Sequence, residues 1–193
     1  MEPSRYAAEP DPPTTRAKQA VRGRLRAQRR ELVPARDRAA DAEAIALDGL
    51  HAAHEARVDR GDWVAAYQST ELEPPTEALI ASLTARGIRV MVPITLEDWD
   101  LDWREVGTTT PLGVDAIGGA RLVFLPAHAV DSSGTRIGQG KGCYDRAMMR
   151  TTCALVAIVH PWEVVDETLP RDAHDRPVDA VIAAGLGLRA VDR

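Results

Sequence analysis

Residues 130–146 carry the densest chemistry in the chain. Gly138, Gly140 and Gly142 alternate with Gln139 and Lys141, with Arg136 just before them and Arg146 just after. Glycine lets a backbone turn its N–H groups toward a ligand with no Cβ in the way, and a helix starting directly behind adds partial positive charge. Such a loop is suited to an anion. The spacing fits neither common phosphate fingerprint. A Walker A loop needs Gly, four residues and Gly-Lys-Ser/Thr, but Gly140-Lys141 is followed by Gly142; the dinucleotide pattern G-x-G-x-x-G is replaced by G-x-G-x-G. On spacing alone, a phosphate or other anion site and a plain glycine-rich turn both stay open. Cys143 follows a lysine and opens a predicted helix, the setting of an activated thiol.

Other residues have chemical and structural readings side by side. Lys18 and Arg22, four apart on a predicted helix, project from one side and form a candidate cationic pair. The remaining arginines between residues 16 and 38 read as a solvated face. Glu73 reads as surface charge, Asp145 as a complement to a helix dipole and Asp175 as a turn cap, unless a ligand claims them. His51 and His54 lack metal-ligand company, and Trp99 and Trp103 read as packing residues.

Composition limits the possibilities. With 193 residues and 45% hydrophobic content, the chain can bury one good core, which predicts a single domain. A net charge of -5 disfavours a general nucleic-acid binder. Two cysteines are a poor disulfide framework, no apolar run reaches membrane-span length, and the Met-Glu-Pro-Ser start lacks a signal-peptide pattern. These features predict a cytoplasmic protein without membrane association.

The elements that must position the loop follow from periodicity. Residues 1–14, rich in proline and acidic groups, predict a disordered leader before a domain over 15–193. A helix is expected from Thr15 as N-cap, with Ala17, Val21, Leu25, Gln28 and Leu32 on one face and Pro34 as its end. A second helix spans 35–58, with Ile45, Leu47, Leu50 and Val58 as its larger apolar groups. Residues 63–67 read as a buried strand, 74–86 as a helix ended by Gly87, and 88–94 as a parallel strand, which places Tyr67 to Thr76 at a site edge beyond a strand's carboxyl end. Residues 101–106, 121–126, 154–160 and 178–183 read as further strands, and 147–150 continues the helix behind the glycine loop. The alternation predicts a three-layer α/β/α fold with a mainly parallel sheet.

The run Arg136 to Arg146, preceded by Leu125-Pro126 and Val130-Asp131-x-x-Gly134, resembles the signature of the 5-formyltetrahydrofolate cyclo-ligase family, also called 5,10-methenyltetrahydrofolate synthetases. Lys18-x-x-x-Arg22 resembles the family's N-terminal nucleotide-binding pair, Tyr67 with Glu73-Pro74-x-Thr76 its folate-binding segment, and Leu169-Pro170 with His174-Asp175-x-x-Val178-Asp179 its C-terminal motif. The resemblance covers roughly residues 15–183 and implies ATP-dependent ring closure of 5-formyltetrahydrofolate, with Mg²⁺ as the metal and a monomer as the assembly. By motif position it implies ATP contacts from Lys18, Arg22, Arg136, Gly138, Gln139, Gly140, Lys141, Gly142, Cys143 and Tyr144. It implies folate contacts from Gln68, Glu73, Gln139, Gly140, Lys141, Gly142 and Cys143. Catalytic roles fall to Lys141, Arg136 and Tyr144, and metal ligation to Asp145 and Asp175. The chemistry needs no thiol, so the resemblance removes Cys143 as a nucleophile.

The chain also departs from the family pattern. Cys143 stands where the family usually has an aromatic, Gln139 where a basic residue is common, and residues 107–120 are shortened without the usual Glu-Pro. Two other readings follow: a diverged paralogue that binds nucleotide or folate with altered activity, and an RNA-associated or regulatory module using the basic helix.

Overall fold

The computed structural model describes residues 12–172 and 175–192. The expected leader falls mostly outside the described residues, as does His174. The first helix, α1, runs Pro12–Leu32, so it begins before Thr15, which lies within the helix rather than capping it. Two prolines suit its first turn, where backbone N–H groups have no intrahelical partner. A short 3-10 turn at Val33–Ala35 holds Pro34. Helix α2, Arg38–Glu55, starts at Asp37, whose carboxylate accepts from the Ala39 and Ala40 N–H groups at 3.1 Å each. Its Ile45 is fully buried, whereas Leu47 is 71% exposed and faces away from the core.

The sheet contains strands β1 (Trp63–Ala65), β2 (Arg89–Thr95), β3 (Leu101–Glu105), β4 (Ala120–Pro126), β7 (Ala154–Val159), β9 (Ala180–Ala183) and β10 (Gly187–Ala190). Their order is β10-β9-β7-β4-β1-β2-β3. The five inner strands are parallel, and antiparallel β3 and β10 close the two edges. Helix α3, Glu77–Ala85, is the crossover between β1 and β2. Gly49 lets α2 lie close to α3, since a Cβ there would sit 2.4 Å from Leu79 Cδ1.

Alternation along the strands sorts the core into two faces. Leu122, Phe124, Val156 and Ile158 pack under α2 and α3. Val123, Leu125, Leu155 and Ala157 face the opposite layer, built from Ile117, Val130 and the helix α4, Cys143–Met148. That layer is completed by a small second sheet of β5 (Ala129–Asp131), β6 (Arg136–Ile137) and β8 (Val164–Val165), on which α1 packs through Leu25. The three-layer expectation therefore holds, with a thin, partly β-structured outer layer in place of long helices.

Strand β1 connects to β2 on one side, and the chain returns to place β4 on the other. The carboxyl ends of β1 and β4 thus form a topological switch point, where open α/β sheets leave a crevice.

Candidate active site

The crevice is a cavity of about 200 Å³. Pro93 and Thr95 close it from β2, Pro126 and His128 from the end of β4, and residues 138–145 form its rim. The rim hangs from the β5–β6 hairpin. In that hairpin the buried Asp131 carboxylate accepts from the N–H groups of Ser133 and Thr135 at 3.0 Å and from Leu169 N–H at 2.9 Å. Gly134, at φ 79, passes so close to Val178 that a Cβ would meet its carbonyl oxygen at 2.4 Å. Asp131 and Gly134 are therefore scaffold for the loop.

Helix α1 clamps the glycine loop. Arg22 Nε donates to Gly138 O at 2.9 Å and Arg26 to Gln139 O at 3.1 Å. Gly140, at φ 98, lies directly against the Arg22 guanidinium. Gly142 adopts the left-handed conformation at the start of α4, which is only six residues long. The charge of the loop therefore comes mainly from side chains rather than from a helix end. Lys141 is exposed, and its ammonium sits 4.3 Å from the Trp99 ring centroid. Trp99, expected to pack in the core, instead is 46% exposed and walls the cavity, held through its carbonyl by Arg146 at 2.6 Å. Trp103 does pack, fully buried.

Around the same rim lies a charged cluster. The Lys18 ammonium, 8% exposed as a residue, donates to Asp172 and Asp175. Burial opposes its charge, but the two carboxylates together push its pKa up. Burial pulls the Arg22 guanidinium down, helped by Arg26, while Asp145, Asp175 and Asp172 oppose the shift. Arg136 is buried and donates to the Arg176 carbonyl and the Asp145 carboxylate. The structure thus brings Lys18, Arg22, Arg136, Asp145 and Asp175 together and adds Asp172. No group of three or more His, Cys, Asp or Glu side chains is placed to cage a metal among the described residues.

Glu73 is 6% exposed and lines the same cavity. Its Oε2 accepts from Thr70 N–H at 2.8 Å and Thr70 Oγ1 at 2.9 Å, and Gln139 Nε2 lies 3.5 Å from Oε1. Tyr144 lines the cavity with its hydroxyl buried and unpartnered among the described residues, and burial, with Glu73 nearby, pushes that hydroxyl well up. Cys143 also lines it, and burial pushes its thiol up, which opposes a nucleophilic thiolate. Gln68 is not brought in. It is exposed, accepts from Arg104 at 2.8 Å and borders a separate groove along α3.

Two parts of the site escape the sequence. Arg29, expected on a solvated face, is buried and makes a bidentate pair with Glu163 at 2.6 and 2.9 Å, with a further bond to Ala127 O at 2.6 Å. Burial pushes the Glu163 carboxyl up, and the guanidinium keeps it paired. The inward stripe of α1 is Lys18, Arg22, Leu25 and Arg29; the Lys18–Arg22 pair was readable, but Arg29 pointed outward by ordinary reasoning. His128, 6% exposed, is the second, and nothing in its sequence neighbourhood marks it.

Comparison with known proteins gives the family and the fold. Residues 14–184 match the sequence model of the 5-formyltetrahydrofolate cyclo-ligase family. A 5-formyltetrahydrofolate cyclo-ligase from Mycolicibacterium smegmatis is 32% identical over 187 residues, spanning 85% of this chain and 92% of that protein. Among solved structures, a 5,10-methenyltetrahydrofolate synthetase from Mycoplasma pneumoniae superposes with a TM-score of 0.70 at 19% identity, covering 86% of this chain and 97% of that one. The Aquifex aeolicus 5,10-methenyltetrahydrofolate synthetase gives 0.67 at 19% identity, covering 91% and 93%. These two likenesses support the fold.

Proposed function

The chain belongs to the 5-formyltetrahydrofolate cyclo-ligase family, and on that premise we propose that it converts 5-formyltetrahydrofolate and ATP to 5,10-methenyltetrahydrofolate, ADP and phosphate. The observation that carries this reading is one cavity lined by Lys141, Arg136 and the glycine loop together with the buried Glu73 carboxylate.

The reaction runs in two displacements. The formyl oxygen attacks the γ-phosphorus of ATP and the β–γ bridging bond breaks, releasing ADP. N10 of the folate then attacks the activated formyl carbon, the carbon–oxygen bond to phosphate breaks, and inorganic phosphate leaves with the N10 proton as the methenyl bridge closes. Phosphoryl transfer of this kind is governed by positioning and charge. Lys141 is exposed at the rim and can leave the Trp99 face for a phosphate oxygen. Arg22 and Lys18 neutralise the remaining phosphates, with the N–H groups of residues 138–142 at the same rim. Tyr144 offers its unpartnered hydroxyl to the reacting groups, and Glu73 accepts hydrogen bonds from the pterin through Oε1.

Asp145 and Asp175, which pair with Arg136 and Lys18, would hold magnesium. The donor set fits, because Mg²⁺ takes one or two carboxylates with waters and substrate phosphates rather than a protein cage. Magnesium, when bound, neutralises phosphate charge. A cytoplasmic monomer is part of the same proposal. The reading is tested by mixing protein, 5-formyltetrahydrofolate and Mg-ATP. Near-ultraviolet absorbance of the methenyl product should rise only with ATP present. ATP binding without that absorbance would favour a diverged paralogue.

A further inference from the structure

We propose that His128 binds the reduced-folate substrate, giving a hydrogen bond to the polar edge of the heterocycle whose N–H groups Glu73 accepts. This rests on the folate reading above. His128 lines the main cavity and also an adjoining groove beneath Arg26, Arg30 and Thr70; Glu73 and Gln139 line both spaces as well. His128 therefore borders both spaces, as does the Glu73 carboxylate.

The residue is fixed through its backbone, but its ring is unsatisfied. The His128 backbone N–H donates to Ile137 O at 2.7 Å, tying it to the hairpin that carries the glycine loop. Its Nδ1 is buried without a hydrogen-bond partner among the described residues. Buried polar atoms normally find partners, and an orphaned one costs stability. An aliphatic side chain would fill this position without that penalty.

The surroundings decide the form of the ring. Arg22, Arg26 and Arg29 approach it from α1, and burial together with these cations lowers its pKa to about 3. It is therefore neutral at working pH, with one nitrogen to donate and one to accept. Arg29, which lines both spaces too, has its Nε and Nη2 donors committed to Glu163 and the Ala127 carbonyl. Glu73 Oε2 is likewise committed to Thr70, which leaves Oε1 toward Gln139 and the cavity. A pterin edge alternates N–H donors with a carbonyl acceptor. A carboxylate together with a neutral imidazole complements that alternation.

The test compares wild type, His128→Leu and His128→Asn, reading separate KM values for 5-formyltetrahydrofolate and Mg-ATP together with thermal melting. The leucine variant should raise the folate KM about tenfold, the scale of one hydrogen bond, leave the ATP KM unchanged, and melt at the same temperature or higher. Asparagine, neutral and able to donate and accept, should recover part of the folate affinity. The wild-type folate KM should carry no histidine titration between pH 6 and 8. An unchanged folate KM in His128→Leu overturns the assignment, as does a lower melting point with both KM values raised alike, which marks a structural role. Absence of ring closure in the wild type would overturn this assignment and the folate reading together.

Discussion

Lys141 is the cation at the rim with the least structural work to do. It is exposed, and its ammonium rests on the Trp99 face, an interaction worth about 0.5–1 kcal/mol at such a site. That attraction is small beside what a phosphate offers, so the side chain is free to exchange one for the other. Lys141→Met should therefore lower kcat/KM by roughly 10²–10³-fold, the scale for removing one charge-stabilising donor, while urea unfolding stays within about 0.5 kcal/mol of wild type. Unchanged turnover would remove Lys141 from the phosphate site. At this scale the sequence was most informative where residue type and spacing coincide, as at Arg136 to Arg146. It was least informative at Trp99, whose left-handed φ of 65 turns it out of the core. A tryptophan two residues before a strand carries no mark of that backbone state.

At the scale of elements, α1 does the positioning. Its Arg22 and Arg26 hold loop carbonyls, and its Arg29 is locked to Glu163 with both side chains almost wholly buried. Removing one member of a buried ion pair strands the other charge, at a cost of about 3–5 kcal/mol. Arg29→Met should destabilise the protein by that order in urea unfolding, and adding Glu163→Leu should recover most of the loss. A double variant as unstable as the single would show that the Arg29 bond to Ala127 O carries the docking instead. The helical period of α1 was legible, yet its inner face was not, because the partner of Arg29 lies 134 residues away in sequence. The β5–β6–β8 sheet was missed for a related reason. Strands of two or three residues are too short to show alternation, and the pairing that defines them is long-range.

At the scale of the whole molecule, the parallel strands were readable as apolar runs, since a sheet covered on both faces needs hydrophobic residues at every position. The basic N-terminal segment, which in isolation suggested an RNA-binding face, turns Lys18, Arg22 and Arg29 inward against carboxylates and the loop, consistent with the acidic net charge of -5. Two buried histidines set the acid response. Burial holds His128 at about 3 and His160 at about 4, below the ordinary 6.5. Between those values the unfolded chain binds more protons than the folded one. The stabilisation is therefore present above about pH 6.5 and is lost as the pH falls toward 4. Each histidine should account for about 2 kcal/mol of lost stability at pH 5, and His128→Leu should flatten the decline in urea unfolding measured between pH 7.5 and 5; an equally steep decline in the variant would contradict it. The central claim is that the cationic rim and the Glu73 flank serve one coupled reaction. The most direct measurement is the ratio of ADP formed to methenyl product formed in a single mixture of protein, 5-formyltetrahydrofolate and Mg-ATP. One ADP per methenyl group is the expected result; ADP released without methenyl product, or no turnover of either, would contradict the account.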